Sequence, residues 1–332
     1  MNNNVPKAIV SCLAITLTPF IATSCSDVNS VSHEGFPQEY TLLGDSVSKQ
    51  ANTYVNYYIH FVDGNVILPG PINQSDTLLH IYSTPDLKLR LSTGVKGHSK
   101  NEFQSSPQIC NSTSSSIFIK GYTPNTLRKV CITDSSLVDS GHFKLYTPCA
   151  PNHMHMIDDS LLYYANFSKN KITSYDINTQ KDVHEFAIPT LYASEGQSLH
   201  GSLCVNNRLA VYAMQYKREI VVLKTDDLSY VKTIKGEYEN QDEAIDKKSK
   251  DYTIYYTGAF ATKDRFYLLY RGFKMSCSEK KSSIEVYDKD MTPVCIYHLK
   301  PELNRFVVDE KNGYIYGLGK NSDYIYRFKF PV

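Results

Sequence analysis

From Glu39 onward, apolar and polar residues alternate in short runs separated by polar turns, which is the pattern of half-buried strands rather than helices. Residues 172 to 188, "ITSYDINTQKDVHEFAI", show it compactly: Ile172-x-x-Tyr175, a polar bend through Asp176 to Gln180, then a second alternating run. The same core, an aliphatic residue followed three positions later by an aromatic or Leu, recurs at Leu79–Tyr82, Ile119–Tyr122, Ile220–Leu223, Ile284–Tyr287 and Ile325–Phe328. The steps between successive anchors are 40, 53, 48, 64 and 41 residues, a mean of about 49, which suits one four-stranded propeller blade per copy.

Each anchor is preceded by a strand, a tight turn and a second strand, as in "IHFVDGNVILPG", "HMIDDSLLYYA" and "LCVNNRLAVYAM". Asp, Asn and Gly tolerate the positive φ of tight hairpins, so these pairs are turn signals with a mechanism. Five copies carry an outer strand after the bend, and the sixth ends at "FKFPV" without one. "EYTLLGDSV", residues 39 to 47, has no blade of its own and can cover the open edge, which proteins avoid leaving bare. The predicted fold is all-β, a six-bladed β-propeller over residues 39–332 closed by an N-terminal outer strand.

The segment before this domain is of a different kind. Residues 1 to 24 place Lys7 ahead of an apolar stretch, Ala8 to Ile21, too short for a comfortable membrane span and suited to an export signal. It ends in "IATSC", small residues directly before Cys25, a lipobox-like sequence that predicts cleavage before Cys25 and lipidation of its thiol. Ala22 stands where a larger aliphatic residue is usual. Residues 25 to 38 read as lipidated Cys and flexible tether. The expected location is the cell envelope, lipid-anchored, at the outer membrane. The expected partners are the bilayer and a protein, peptide or glycan ligand.

These features together resemble the TolB-like six-bladed β-propeller lipoproteins of Bacteroides and its relatives. The resemblance rests on "IATSC", on the blade pattern and on "KGHSKNEF" (96–103), where Gly97, Glu102 and Phe103 match a Gly-x-Gly-Pro-x-Glu-Phe-like stretch and the rest departs. It implies fold and location, and no reaction.

Composition agrees with a packed β domain: 26 Tyr and 14 Phe supply aromatic cover, and Lys+Arg 35 against Asp+Glu 34 gives no electrostatic reason to expect nucleic acid. Trp is absent, which with the lack of His-to-Asp blade signatures argues against the WD40 class. Cys110, Cys131, Cys149, Cys204, Cys277 and Cys295 are an even set in an exported chain, open to disulfides, although most sit in apolar runs and fit buried small hydrophobes. No catalytic motif, phosphate-binding loop or C-x-x-C is present, and no cofactor is called for.

Two histidines, His153 and His155, share one face of a strand and could begin a metal site, but no third ligand is visible, so no metal is assigned. At the start of the inner strands stand Gln108, His155, His200 and Arg305, poor in carboxylates. The candidate ligand-binding residues are His153, His200, Tyr256 and Arg305, with the 235 to 257 loop at their rim; none is assigned a catalytic role. The expected function is non-catalytic recognition on the loop-rich face, and the alternative is a six-bladed hydrolase or lactonase with a channel metal.

Overall fold

The computed structural model describes residues 35–331 except 50–57, 72, 74, 113–114, 123–124, 146–153, 167–168, 189–199, 237–251, 279–280 and 321–322. The signal, Cys25, residues 26–34, His153 and Cys149 lie outside the described residues. Among those described there are 25 strands and no helix.

Strands β1 (Glu39–Leu43) and β2 (Asp45–Ser48) come first, and six antiparallel units follow. Unit one is β3 (His60–Val62), β4 (Asn65–Pro69), β5 (Leu79–Ser83) and β6 (Lys88–Thr93). Unit two is β7 (Gln108–Ser112), β8 (Ile117–Lys120), β9 (Thr126–Ile132) and β10 (Leu137–Lys144). Unit three is β11 (Met154–Ile157), β12 (Leu161–Asn166), β13 (Lys171–Asp176) and β14 (Lys181–Ala187). Unit four is β15 (Gly201–Val205), β16 (Leu209–Met214), β17 (Glu219–Lys224) and β18 (Tyr230–Lys235). Unit five is β19 (Thr253–Ala261), β20 (Arg265–Lys274), β21 (Ser283–Asp288) and β22 (Pro293–Lys300). Unit six has β23 (Arg305–Asp309), β24 (Tyr314–Leu318) and β25 (Tyr324–Lys329), and takes its fourth strand from β2. Units two and three share one sheet, because β7 and β11 pair in parallel at His155↔Asn111 and Met156↔Ser112.

The turns are those the sequence signals. Asp63 and Gly64 adopt φ of 47° and 69°, and Asp158 and Asp159 48° and 56°, as tight hairpins with right-handed twist require. At Asn206 the side chain makes the turn, its Oδ1 accepting the N–H groups of Arg208 and Leu209 at 3.0 Å each.

The repeated aliphatic-x-x-aromatic core acquires a physical meaning. Residues three apart on a strand point to opposite faces. Ile284 packs into a cluster shared with unit six, and Tyr287 into one shared with unit four. Ile220 and Leu223 divide likewise between units five and three, and Leu79 and Tyr82 between units two and six. Thus the aliphatic residue faces the next unit and its partner faces the preceding one. A β-bulge in the pairing with the outer strand falls just before Tyr82, Tyr175, Leu223 and Tyr287, at the same position in units one, three, four and five. Among the described residues, six buried apolar clusters each join two neighbouring units, and the last joins unit six to unit one through Ile325, Tyr316, Val66 and Tyr82.

Two expectations are corrected. In unit two, Ile119 lies in the second strand, which ends at Lys120 before Tyr122, and the third strand is β9. Leu127 faces unit three and Val130 faces unit one, so Leu127-x-x-Val130 is the true anchor. The third strands then begin at Leu79, Thr126, Lys171, Glu219, Ser283 and Tyr324, steps of 47, 45, 48, 64 and 41 residues. The second correction concerns residues 39 to 47, expected to be one outer strand. They are split: β1 lies parallel to β22 as a fifth strand of that sheet, and only β2 pairs with β25. Gly44 marks the change of sheet, where a Cβ would stand 2.6 Å from the Phe328 ring and only glycine fits. Contacts also begin before Glu39, since Phe36 sets its ring edge-on to Tyr287 at 5.2 Å.

The motif at 96–103 is a structural loop. Glu102 Oε2 accepts the Ser99 N–H at 2.9 Å, which holds its carboxyl below the usual range, and a Cβ on Gly97 would strike that carboxylate. Phe103 is fully buried and stacks on Tyr122 at 3.9 Å, sealing units one and two. Cys204 and Cys295 are buried free thiols, Cys131 and Cys277 are also free, and Cys110 is buried with its Sγ 4.0 Å from Met154 Sδ.

Candidate functional site

The first strands of successive units lie side by side, so the connections between units gather at the end where those strands start. Strand β22 finishes at this end, just before β23, and β1 runs parallel to it, so Glu39 starts from the opposite end. At the strand-start end, five units contribute to one cavity of about 220 Å³. Its polar wall is His60 from unit one, Asn111 from unit two, His200 and Gln215 from unit four, Thr257 from unit five and Arg305 from unit six; Tyr58, Phe260 and Phe306 add apolar surface.

Each polar group has a defined setting. Arg305 Nη1 donates to the carbonyls of Thr257 at 3.0 Å and Asn304 at 2.9 Å, which fixes the guanidinium across units five and six. Asn304 also accepts from Arg271 Nη2 at 2.8 Å, and Glu302 Oε2 stands 3.7 Å from Arg271 Nη1. Burial and the Arg305 charge lower the Arg271 pKa against the pull of Glu302. His200 meets the Tyr216 ring edge-on at 6.0 Å, and its carbonyl accepts the Gln215 N–H at 2.8 Å.

His60 is buried, with Nδ1 3.3 Å from Asn111 Oδ1. A neutral ring donating Nδ1–H to Oδ1 turns the Asn111 amide so that its Nδ2 donors remain for other partners. His155 is also buried, and bonds the Leu203 backbone. Both imidazoles are held down to a pKa of about 4, chiefly because burial penalises the cation; the Asn111 bond opposes this at His60, and at His155 the Leu203 bond opposes it while the His60 charge adds to it. Nε2 of each ring has no hydrogen-bond partner, nor has Gln108 Oε1. Among the described residues, no group of three or more His, Cys, Asp or Glu could hold a metal ion, and the cavity lining contains no carboxylate.

The two histidines make a prediction with a definite sign. Between pH 6.5 and about 4 the unfolded chain binds protons that the folded chain refuses. Their stabilising contribution is complete above pH 6.5 and is lost as pH falls through 4, at about 3 kcal/mol per ring on the scale of 1.36 kcal/mol per unit. Urea melts at pH 7 and pH 4.5 are expected to differ accordingly, and His60→Asn with His155→Asn should flatten the difference.

Of the expected site residues, His200 and Arg305 come together in the cavity. Tyr256 does not line it. Its ring is buried between units four and five, and its hydroxyl donates to Glu285 Oε2 at 3.0 Å. The register of β19 shifts on both sides of Tyr256, and the next residue, Thr257, faces the cavity instead. His60, Asn111, Gln215 and Thr257 were not anticipated; His60 alone carried a signal, as the polar residue that starts an inner strand. Of the loop expected at 235 to 257, residues 237–251 lie outside the described residues, Lys235 ends β18, and β19 begins at Thr253.

No family model matches the chain, and no curated protein matches it by sequence. Among solved structures it is similar to a Bacteroides fragilis NCTC 9343 protein described as exported, at 12% identity and a TM-score of 0.56 over 91% of this chain and 96% of that one. It is also similar to streptogramin B lyase, at 11% identity and a TM-score of 0.52 over 87% of this chain and 98% of that one. Both are propeller-like folds, and the class defined here is therefore all-β and propeller-like.

Proposed function

We propose that the protein is an envelope lipoprotein of TolB-like kind, a six-bladed β-propeller whose axial cavity binds a ligand without transforming it. The six two-unit clusters, ending with unit six against unit one, support the closed six-bladed reading. The similarity to a protein described as exported supports the location. The observation that carries the function is the cavity wall: one fixed guanidinium, two amides, two imidazoles and the Thr257 hydroxyl from five units, with no carboxylate among the described lining residues. That set suits recognition, and without a carboxylate among the described lining residues it offers little calcium chemistry. Binding on a rigid scaffold at the connection-rich end is a common use of such folds. His200→Ala and Arg305→Ala in the full chain test it: both should lose a partner captured from envelope extracts by the wild type, and retention by both overturns the reading.

The alternative, a six-bladed hydrolase or lactonase with a channel metal, draws on the partnerless Nε2 atoms of His60 and His155. Metal analysis of purified protein decides it, since stoichiometric metal lost in a His60→Asn, His155→Asn double variant would favour this alternative.

Anchoring is a separate prediction. Cys25→Ala is expected to release the protein from membranes and abolish acylation, and a variant that still fractionates with membranes would refute the lipid anchor. Glu39 starts from the end opposite the cavity.

A further inference from the structure

We infer that the outer edge of unit four, strand β18 with the groove beside it, is a docking edge for an extended acidic segment of a partner protein. The inference is independent of the axial cavity. Its first support is an open edge. Strand β18 ends its sheet, and among the described residues no strand pairs with its outer side. The matching edge of unit five already carries an added strand, β1, which lies parallel to β22 through five residue pairs. The blades of this fold therefore accept a further extended strand at this position, and main-chain pairing along an edge supplies affinity while alternate side chains supply specificity. Among the described residues six large apolar side chains are exposed, and only Tyr230 and Val231, at 57% and 42%, are consecutive; both belong to β18.

The second support is a groove of about 440 Å³ beside that edge, between unit four and the β21–β22 turn of unit five, with Leu209, Val222 and Val231 as its apolar part. Its volume is in the range of small-ligand sites and holds side chains of an incoming strand. Charge is the third support. The lining sets Arg208, Lys224, Lys232 and Lys289 against Asp226 and Asp290. Arg208 pairs with Asp290 at 3.2 Å, and Lys232 Nζ donates to the carbonyls of Asp290 at 3.0 Å and Met291 at 3.3 Å. The neighbouring Asp227 and Asp288 are turned onto backbone N–H groups of their own turns. A groove with surplus positive charge and an apolar floor is complementary to acidic side chains that alternate with aliphatic ones. A second copy is a poor match, because β18 itself carries Lys232 and Lys235, and lysines on an edge oppose self-pairing.

Calorimetric titration of the full chain tests this with three capped hexapeptides: alternating Val and Glu, alternating Val and Lys, and the Val–Glu peptide with every second amide N-methylated. The Val–Glu peptide is expected to bind, the Val–Lys peptide at least tenfold more weakly, and the N-methylated one at least tenfold more weakly because it cannot pair along a strand. Lys224→Glu with Lys289→Glu should weaken the acidic peptide at least tenfold and favour the basic one. Both lysines are exposed, so the double variant should melt with the wild type, and Lys224→Gln with Lys289→Gln repeats the test without reversed charge. Val231→Ser should weaken the acidic peptide through the groove alone. Equal affinity for the acidic and basic peptides, or no binding of either, overturns the acidic assignment, and indifference to N-methylation overturns strand docking. Binding that ignores Lys224, Lys289 and Val231 together places the peptide elsewhere and overturns the inference. Sedimentation that shows a dimer of the wild type, lost in the double variant, makes a second copy the occupant and overturns the partner.

Discussion

Removing residues 39–48 is expected to lower the melting temperature by on the order of 10 °C or more, whereas removing residues 26–34 should leave it nearly unchanged. The longer deletion takes away both β1 and β2. It strips five residue pairs from the edge of β22 and four from β25, and uncovers the cluster that Leu42 helps to bury. A buried Leu contributes roughly 1.5–3 kcal/mol, and each ladder hydrogen bond about 1 kcal/mol net. The sum exceeds about 5 kcal/mol, and in a domain of this size each kcal/mol shifts the midpoint by roughly 2–4 °C. A cut at residue 36 rather than 34 would lose the Phe36 contact on Tyr287 and no longer serve as a control. Calorimetry on the three proteins settles the matter, and equal melting of the two truncations would remove 39–48 from the fold.

Glu285→Ala is expected to cost about 3–5 kcal/mol, the usual consequence of breaking a buried charge network from one side. Glu285 is fully buried between units four and five. Its Oε2 accepts the hydroxyls of Tyr256 at 3.0 Å and Tyr287 at 2.9 Å, and its Oε1 faces Arg218 Nη2 at 3.8 Å. The arginine in turn lies over the Tyr270 ring, 5.2 Å from its centroid. Burial first, and then the Glu285 charge, push both of these tyrosines well above their usual pKa, so they remain donors. Alanine leaves two hydroxyls without their acceptor and a buried guanidinium without its carboxylate. Glu285→Gln keeps an acceptor and should cost distinctly less. Denaturant titration of the pair measures the difference, and equal loss in both would show that the charge, not the hydrogen bonds, holds this seam.

Much of this architecture was legible because its rule is local. The side chain three positions from an aliphatic anchor must face the other neighbour, so every unit writes the same spacing into its third strand. Unit two was misread where the rule is met by different residues. Its third strand carries Leu127 and Val130 without an aromatic, and holds a buried arginine, Arg128, whose charge Asp139 meets at 2.8 Å and whose guanidinium lies 4.0 Å over Tyr122. A strand that buries an arginine reads as surface when its partners are unknown. Meanwhile "IFIK" followed by Tyr122 imitates the anchor one strand too early.

The site was less legible than the frame. His200 and Arg305 could be found because they start inner strands in the ordinary register. Tyr256 lies off the cavity where β19 carries two register shifts, and a shift of one residue sends a side chain to the other face. Asn111 could not be found by position, since it lies near the far end of β7, where that strand pairs in parallel with β11 and Asn111 lines the cavity. Long-range pairing of that sort leaves no periodic trace.

The hand-over of a single extended strand from one sheet to the next at Gly44 also sets a timetable. Ser48 pairs with Tyr324, so the earliest part of the folded chain waits for nearly the latest. During synthesis, or passage through a membrane with the N-terminus leading, the inner units can assemble while both ends stay raw. Such distant pairing is slow, because the entropy of the intervening loop is lost before the contact is gained. A product cut short before β25 leaves β2 without a mate and its own last sheet uncovered, which is a surface that proteases and aggregation both recognise. Formation of β25 is thereby converted into protease resistance.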